Sequence, residues 1–268
     1  MNLSIVIVNH NQKELLKECL RNIQEAGINF DYEIIVVDNA SSDKSLELLS
    51  KFEIQNSKFK NICNNANVGF ARGVNQGIKN SLGEYILILN PDVVALPGSI
   101  EKMVKFMEQN PECGICGPKL INPDGSTQKS CRRFPKWYTP LVRRTFLKQI
   151  MFFGKRHDEW YLMKDFDHQK NQEVDWLMGA ALLVRRSALE KVGLMDERYF
   201  LYFEDTDWCR RFWQNGYKVY YLAEVKMYHY HQRLSAPRGF LKSLFSKFTW
   251  IHLLSAIKYF YKWSRIKA

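Results

Sequence analysis

The sequence predicts an α/β fold with a largely parallel sheet. Short runs of apolar, β-branched residues alternate with amphipathic helical segments over roughly the first 120 of the 268 residues. Strands that alternate with helices favour a parallel sheet covered by helices on both faces, with right-handed crossovers. The first four predicted strands also end in turns rich in Asn and Asp, at the edge where open α/β sheets bind ligands. The sequence therefore predicts a ligand-binding α/β protein.

The first half contains the regular elements. Strands are predicted at residues 3–8, 32–37, 61–64, 84–89 and 114–121, and helices at residues 12–27, 44–51, 70–81 and 98–109. The first helix has apolar residues at 15, 16, 19, 20 and 23, and Gly27 ends it. Pro97 stands where proline is favoured, at the start of the last of these helices. This regularity makes residues 1–121 the better-defined half.

The second half is less regular. Residues 126–172 form a long basic, aromatic segment without a clear period, and an apolar run at 174–184 has Gly179 near its middle. Helices are predicted at 187–193, 206–216 and 239–263, with a short strand at 217–222.

Composition limits the class of protein. Hydrophobic residues make up 46% and charged residues 25%, which is enough apolar mass for a sizeable core. The 6 cysteines form no disulfide framework, which favours a reducing compartment. The chain opens without a basic, signal-like segment, and no apolar stretch approaches the length of a membrane span. We therefore expect a cytoplasmic protein.

The net charge of +11 is concentrated in two segments. Residues 126–156 and 225–268 each carry nine Lys or Arg and no acid, so the rest of the chain is mildly acidic. Such surfaces suit a polyanion: nucleic acid, anionic lipid or a diphosphate-bearing substrate. No nucleic-acid-binding motif is present, so the last two partners are favoured.

The basic C-terminal segment permits two interpretations. The predicted helix has an aromatic, apolar face flanked by basic side chains, namely Lys242, Lys247, Lys258, Lys262 and Arg265. This pattern fits a helix that lies in the interface of an anionic membrane. The alternative is a helix docked on the protein's own core with a solvated charged side.

The ends of the first four strands carry the polar residues. They are Asn9, His10 and Asn11; Asp38 and Asn39; Asn65, Asn67, Gly69 and Arg72; and Asn90, Pro91 and Asp92. Each group alone is compatible with an ordinary turn, but four on one rim indicate a binding site. No glycine-rich dinucleotide fingerprint or phosphate-binding loop is present, which disfavours dehydrogenases and P-loop NTPases. A carboxylate-held divalent cation is the natural counter-charge for bound phosphates.

Six ordered segments resemble the motifs of family 2 glycosyltransferases with the GT-A fold. They are residues 4–11 (SIVIVNHN), 36–43 (VVDNASSD), 67–75 (NVGFARGVN), 89–92 (LNPD), 176–181 (WLMGAA) and 203–211 (FEDTDWCRR). Residues 229–235 (HYHQRLS) resemble the rhamnosyltransferase-like branch. The resemblance implies a GT-A domain at residues 1–224, with a donor half to about 121 and an acceptor half from about 122. A basic extension at 225–268 follows.

The resemblance also implies a donor site. Nucleotide and donor contacts would come from Asn9, Asn11, Asp38, Asn39, Asn67, Arg72, Asn90 and Asp92. Asp92 would hold Mg²⁺ or Mn²⁺ on the donor diphosphate, with His229 completing the metal shell and His231 as its rival. Asn90 stands at the first position of the family's Asp-x-Asp motif, and its neutral amide lowers the charge of the metal site.

The catalytic base is expected among the acids that precede the helix at 206–216. Asp205 is the first choice, with Glu204 and Asp207 as alternatives. The competing interpretation is that these acids only cap the helix, whose dipole would then lower the pKa of Asp205. Acceptor contacts are expected from Trp176, Gly179 and Asp175.

The implied reaction is an inverting sugar transfer. The donor would be a dTDP- or UDP-sugar, with rhamnose from dTDP-rhamnose as the leading expectation. The acceptor would be a hydroxyl of a glycan or lipid-linked glycan precursor at the cytoplasmic face of the inner membrane, with peripheral contact to anionic lipid. A nucleotidyltransferase and a non-catalytic nucleotide-sugar-binding protein of the same fold are the alternatives.

Overall fold

The computed structural model describes residues 1–52, 57–144, 152–230 and 247–266. The strands are β1 (Leu3–Asn9), β2 (Tyr32–Asp38), β3 (Ser57–Cys63), β4 (Tyr85–Leu89), β5 (Val93–Ala95), β6 (Cys113–Ile121), β7 (Cys131–Arg132), β8 (Gln172–Glu173), β9 (Trp176–Leu177), β10 (Ala181–Arg185) and β11 (Lys218–His229). The helices are α1 (Lys13–Glu25), α2 (Ser45–Lys51), α3 (Phe70–Lys79), α4 (Ser99–Gln109), α5 (Thr139–Arg144), α6 (Phe152–Tyr161), α7 (Arg186–Val192), α8 (Glu204–Gln214) and α9 (Lys247–Arg265). His231 and Lys242 lie outside the described residues.

One central sheet organises the molecule, and the predicted α/β class is confirmed. Its strand order is β3-β2-β1-β4-β10-β6-β11-β5, with β8 also paired to β11. β3, β2, β1 and β4 are parallel, and so are β6 and β11. β10 runs antiparallel between β4 and β6, and β5 and β8 run antiparallel to β11. The sheet is therefore more mixed than the regular first half predicts.

Both faces of the sheet are covered because its strands are apolar on both sides. Ile5 and Ile7 of β1 pack into one buried cluster with α1 and α4, while Val6 packs into another with α3, α7 and α8. Successive side chains of a strand point to opposite faces, so a strand buried on both faces reads as a continuous apolar run.

Two glycines let α3 approach β1 closely. A Cβ atom on Gly77 would overlap the side chain of Val6, and one on Gly73 would lie 2.9 Å from Val8 Cγ1. Since real Cβ atoms keep larger separations, any larger residue here would push the helix away. This contact fixes the start of α3 beside the end of β1.

Several element bounds differ from the predicted ones. β3 begins at Ser57, and β11 runs to His229 rather than residue 222, because β6 and β5 pair with it along its length. α8 begins at Glu204 rather than at residue 206. β5 and the separate strand β10 follow from pairing partners distant in the chain, which local patterns do not reveal.

The C-terminal helix α9 is docked on the protein. Tyr259 and Trp263 are buried in a small cluster with Tyr199 and Phe203, next to the start of α8. Within the described ranges, no helix combines the length and the apolar character needed to cross a bilayer.

Candidate active site

A cavity of about 1480 Å³ opens beyond the carboxyl ends of β1, β2 and β4. The first half contributes His10, Asn39, Asn67, Gly69, Asn90 and Asp92 to its lining, and the second half contributes Arg132, Trp176, Gly179, Glu204, Asp205 and His229. The cavity thus lies where ligands bind in open α/β sheets, and it contains residues from both halves of the chain.

Asp38 and Asn9 lie next to this cavity but do not line it. Both are fully buried, and Asn9 Nδ2 donates to Asp38 Oδ2 at 2.8 Å. The other Asp38 oxygen accepts from the Ser41 backbone N–H at 2.8 Å. These bonds tie the ends of β1 and β2 together, so the structure does not bring the Asp38 carboxylate to the cavity surface with Asp92 and Asp205.

The neighbouring amides divide between the cavity and the surface. Asn39 Nδ2 donates to the Gly69 carbonyl at 3.2 Å, and Asn67 Oδ1 accepts from the Gly69 N–H at 3.0 Å. Both side chains line the cavity. Asn11 has a φ of 54° and accepts from the Ser42 N–H at 2.7 Å, outside the lining. Asn11 therefore stabilises the turn after β1.

Two predicted contacts are directed elsewhere. Arg72 is exposed, and its Nε lies 3.1 Å from Glu197 Oε2. Asp175 Oδ2 accepts from the Phe134 N–H at 2.7 Å, and burial raises the pKa of this carboxyl. Neither residue lines the cavity. The predicted donor contact of Arg72 and acceptor contact of Asp175 therefore find no support in this arrangement.

Asp92 and His229 meet at one wall of the cavity. β5 pairs antiparallel with β11, which sets Val93 opposite His229 and leaves Asp92 Oδ1 3.4 Å from His229 Nε2. His229 Nδ1 lies 2.7 Å from Gln128 Oε1. Because an amide oxygen only accepts, His229 Nδ1 donates this bond, and the other ring nitrogen, Nε2, is the one directed at Asp92. A metal-binding histidine commonly uses one ring nitrogen for the metal and the other for such a bond.

These two side chains fit a divalent cation. Asp92 lines the cavity, and its Oδ1 is buried and accepts no hydrogen bond from the described residues. An imidazole nitrogen and a carboxylate oxygen are suitable ligands for Mn²⁺ or Mg²⁺. The part of the chain that the structure describes holds no group of three or more acidic, His or Cys ligands, so further ligands would have to come from elsewhere.

Glu204 and Asp205 form a buried carboxyl pair in the first turn of α8. Asp205 Oδ2 accepts from the Gly179 N–H at 3.0 Å, and Oδ1 accepts from the Thr206 N–H at 2.7 Å. Glu204 Oε2 is buried and, among the described residues, has no hydrogen-bond partner. Phe203, just before the helix, has a φ of 69°, so the chain enters α8 through a left-handed residue that directs both acids inward.

The environment raises both pKa values. Burial raises the pKa of Asp205, against the opposing effects of its hydrogen bonds and of Arg132. Burial, and then the charge of Asp205, raise the pKa of Glu204 well above its usual range. The expected lowering at Asp205 by the helix dipole is therefore wrong, because desolvation outweighs the helix terminus here.

Asp207, the third acid, is not in the cavity. It is fully buried on the other side of α8, where it accepts from Lys262 Nζ at 2.8 Å, Trp263 Nε1 at 2.9 Å and Arg211 Nε at 3.0 Å. The bonds from Lys262 and Trp263 hold α9 to α8, and the bond from Arg211 lies within α8, so the structure gives Asp207 a structural role.

Arg132 is a cavity residue that the sequence did not single out. Its guanidinium lies 5.5 Å from the ring centre of Trp176 and 5.8 Å from that of Tyr161, and its Nε is buried without a hydrogen-bond partner in the described parts of the chain. The sequence feature that could have indicated Arg132 is the acid-free basic segment at 126–156. That segment has no regular hydrophobic pattern, so it does not show which basic residue points into the cavity.

Comparison with known proteins identifies similar sequences. The family model described as Glycosyl transferase family 2 matches residues 4–193. An N-acetylglucosaminyl-diphospho-decaprenol L-rhamnosyltransferase of Mycobacterium tuberculosis is 30% identical over 74% of this chain and 66% of its own length. Rhamnosyltransferase WbbL of Escherichia coli is 27% identical over 95% of this chain and 91% of its own. The dTDP-rhamnosyl transferase RfbF of Shigella flexneri is 28% identical over 85% of this chain and 69% of its own.

Solved structures share the fold. GalNAc-T7 with UDP, GalNAc and Mn²⁺ superposes with a TM-score of 0.66 at 16% identity, over 87% of this chain and 44% of the other. Residues 1–349 of S. aureus TarS in complex with UDP give 0.63 at 14% identity, over 87% and 62%. The chain thus spans about two thirds of the mycobacterial relative and less of these structures.

Proposed function

The chain belongs to glycosyltransferase family 2, and from that premise we propose that it transfers a sugar, with inversion, from a nucleotide diphosphate to a hydroxyl of a lipid-linked glycan precursor. Rhamnose from dTDP-rhamnose is the proposed donor sugar, since several relatives are named as rhamnosyltransferases. The mycobacterial relative is named for a diphospho-decaprenol acceptor, which supports a lipid-linked acceptor here.

A single observation carries this proposal. Asp92 and His229 at one part of the cavity, and Glu204 and Asp205 at another, line the same 1480 Å³ space. Sugar transfer from a nucleotide diphosphate needs both a counter-charge for the leaving diphosphate and a base for the incoming hydroxyl. The cavity offers residues suited to each.

On the donor side, Asp92 and His229 would hold Mg²⁺ or Mn²⁺. Such a cation acts as a Lewis acid on phosphate oxygens and neutralises the charge that develops on the leaving group. Asn90 and Asn67 line the same cavity and carry no charge, so they offer amide hydrogen bonds to the donor without adding repulsion.

On the acceptor side, Asp205 is the proposed base. The Gly179 N–H fixes its Oδ2 and uses one of that oxygen's two lone pairs, so the other can accept the hydroxyl proton. A pKa raised by burial makes the ionised carboxylate a stronger base. Burial, and then the charge of Asp205, raise the pKa of Glu204 well above its usual range, which favours a protonated Glu204 beside an ionised Asp205.

The proposed base is tested by two variants, each of which replaces one acid by its amide. Asp205→Asn should lower sugar transfer by at least about 10²-fold while nucleotide binding is kept, because only the proton acceptor is lost. Glu204→Gln should keep transfer within about tenfold, since Gln imitates the protonated acid. Asp31→Asn, on the exposed loop before β2, is the matched control. Transfer retained by Asp205→Asn and lost by Glu204→Gln would assign the base to Glu204.

The proposed cation is tested by chelation. Donor hydrolysis and nucleotide binding should both fall in EDTA. Both should recover when Mg²⁺ or Mn²⁺ is added back. Asp92→Asn should weaken metal-dependent nucleotide binding by about tenfold or more. Unchanged nucleotide binding in EDTA would contradict the proposed cation site, and nucleotide-sugar binding with no turnover on any acceptor would favour the non-catalytic alternative.

A further inference from the structure

Helix α9 presents three different faces. Ser255, Ala256, Tyr259 and Trp263 are buried against the protein. Near its start, Lys247, Phe248, Ile251 and His252 line the cavity. A third face carries large apolar side chains that are exposed: Trp250 at 58%, Leu254 at 54%, Ile257 at 65% and Tyr261 at 55%. We name this last group the outer stripe.

The outer stripe is a continuous surface rather than scattered residues. Its four members are spaced by four, three and four positions, which places them within about 60° of arc on a helix that turns about 100° per residue. The buried Tyr259 and Trp263 lie on the opposite side of the same helix. A contiguous group of exposed apolar side chains is typical of an interaction site.

The surroundings of the stripe are basic. Lys247, Lys258 and Arg265 lie along one edge of it, within about 70° of its centre by the same helical rotation. Arg265 also covers the Tyr261 ring, with 4.1 Å from the guanidinium carbon to the ring centre. No acid occurs anywhere in residues 225–268, so nothing on this segment offsets the positive charge.

We propose that the outer stripe and its basic edge bind an anionic lipid bilayer, so that the cavity opens beside the membrane surface. An amphipathic helix with an aromatic apolar face and a basic flank binds the interface of anionic lipids. Lys247 belongs to the basic edge and also lines the cavity, so the two surfaces are continuous. This inference rests on the proposed function for its purpose, which is access to a lipid-linked hydroxyl.

Charge complementarity favours lipid over a second copy of the chain. Two copies facing each other through the stripe would bring two acid-free basic segments together, and like charges repel. An anionic bilayer attracts the same surface, and each basic residue near it strengthens binding by roughly fivefold.

Vesicle sedimentation tests the inference. The full chain should sediment at low salt with phosphatidylcholine vesicles that contain phosphatidylglycerol, and much less with phosphatidylcholine alone. The double variant Leu254→Glu/Ile257→Glu should lose at least about tenfold of this binding, because two exposed apolar side chains that would enter the bilayer are replaced by charges that anionic lipid repels. Lys258→Gln/Arg265→Gln should lose about tenfold or more on the anionic vesicles.

Matched controls use the same substitutions elsewhere. Leu82 is 63% exposed between α3 and β4, at the opposite edge of the sheet from the cavity, and Leu82→Glu should bind vesicles like the unmodified chain. Lys102→Gln/Lys105→Gln on α4 is the control for lost charge. Equal loss in the controls and the stripe variants, or no sedimentation of the unmodified chain, would overturn the inference. The inference would also be overturned if the unmodified chain did not bind vesicles but associated with itself, and if Leu254→Glu/Ile257→Glu abolished that self-association.

The two proposals fail separately. Donor hydrolysis, and transfer to a water-soluble acceptor lacking the lipid, should be unchanged in Leu254→Glu/Ile257→Glu, while transfer to an acceptor embedded in vesicles should fall. Absence of hydrolysis and transfer in the unmodified chain would count against the proposed function alone, because sedimentation reports only on the membrane surface.

Discussion

Burial controls the chemistry of individual acids in this protein. Glu204, Asp205 and Asp207 lie within four residues of one another, yet two face the cavity and one is enclosed by Lys262, Arg211 and Trp263. Local sequence identified all three as acids at a helix start. It could not distinguish them, because the turn of α8 and the packing of α9 decide which side chain is desolvated and which is paired.

The raised pKa of Glu204 predicts a pH-dependent stability. In the folded state this carboxyl keeps a proton that it loses when unfolded above about pH 4.5, so its contribution to stability falls as pH rises. Glu204→Gln removes this loss. We therefore expect the melting temperature of the variant to exceed that of the unmodified chain by more at pH 8 than at pH 5.

Thermal unfolding at the two pH values checks this expectation. Glu47→Gln is the matched control, since Glu47 lies in the first turn of α2 but is exposed. A difference between the Glu204→Gln variant and the unmodified chain that stays constant with pH would show that Glu204 ionises normally in the folded protein.

Among the elements, α8 and α9 depend on each other. Asp207 of α8 accepts hydrogen bonds from Lys262 and Trp263 of α9, and Arg210 of α8 lies 4.2 Å from the Trp263 ring centre. The helical pattern of α9 was predictable, and so was its aromatic content. Its docking was one of two open interpretations, because a helix with apolar residues on two faces does not reveal which face meets the protein.

Removing the charge of Asp207 should loosen this pair of helices. Asp207→Asn removes the buried carboxylate that Lys262, Arg211 and Trp263 share, although Lys262 keeps its contact with Asp196. This change should lower the free energy of unfolding by about 3–5 kcal/mol. Denaturant unfolding measures the loss. Asp167→Asn breaks an exposed contact with Lys170 and should cost at most about 1 kcal/mol. Equal small losses in both variants would contradict the buried network.

The whole molecule is organised by one sheet shared by both halves of the chain. The parallel pairing of the first four strands was predictable from their regular alternation with helices, but their order in the sheet was not. β10 joins β4 to β6 across a long separation in sequence. The two halves of the chain are therefore parts of one hydrogen-bonded layer. We expect them to unfold together, as one cooperative unit.

Two probes can separate the halves. All seven tryptophans lie between residues 137 and 263, so their fluorescence reports on the second half. Cys63, at the end of β3, is exposed while the other five cysteines are buried, so a thiol-reactive dye there reports on the first. Coincident denaturant curves from the two probes are expected. Separate midpoints would indicate that the halves are independent folding units.

The position of β10 also has a consequence for biosynthesis. This strand fills the space between β4 and β6, yet the ribosome makes it about sixty residues after β6. At 5–20 residues per second the nascent chain would carry two apolar, unpaired strand edges for roughly 3–13 s. Open edges of this kind favour misassembly with other chains. Protection from other chains, such as a ribosome-associated chaperone gives, would be needed most during that interval, before translation reaches residue 185.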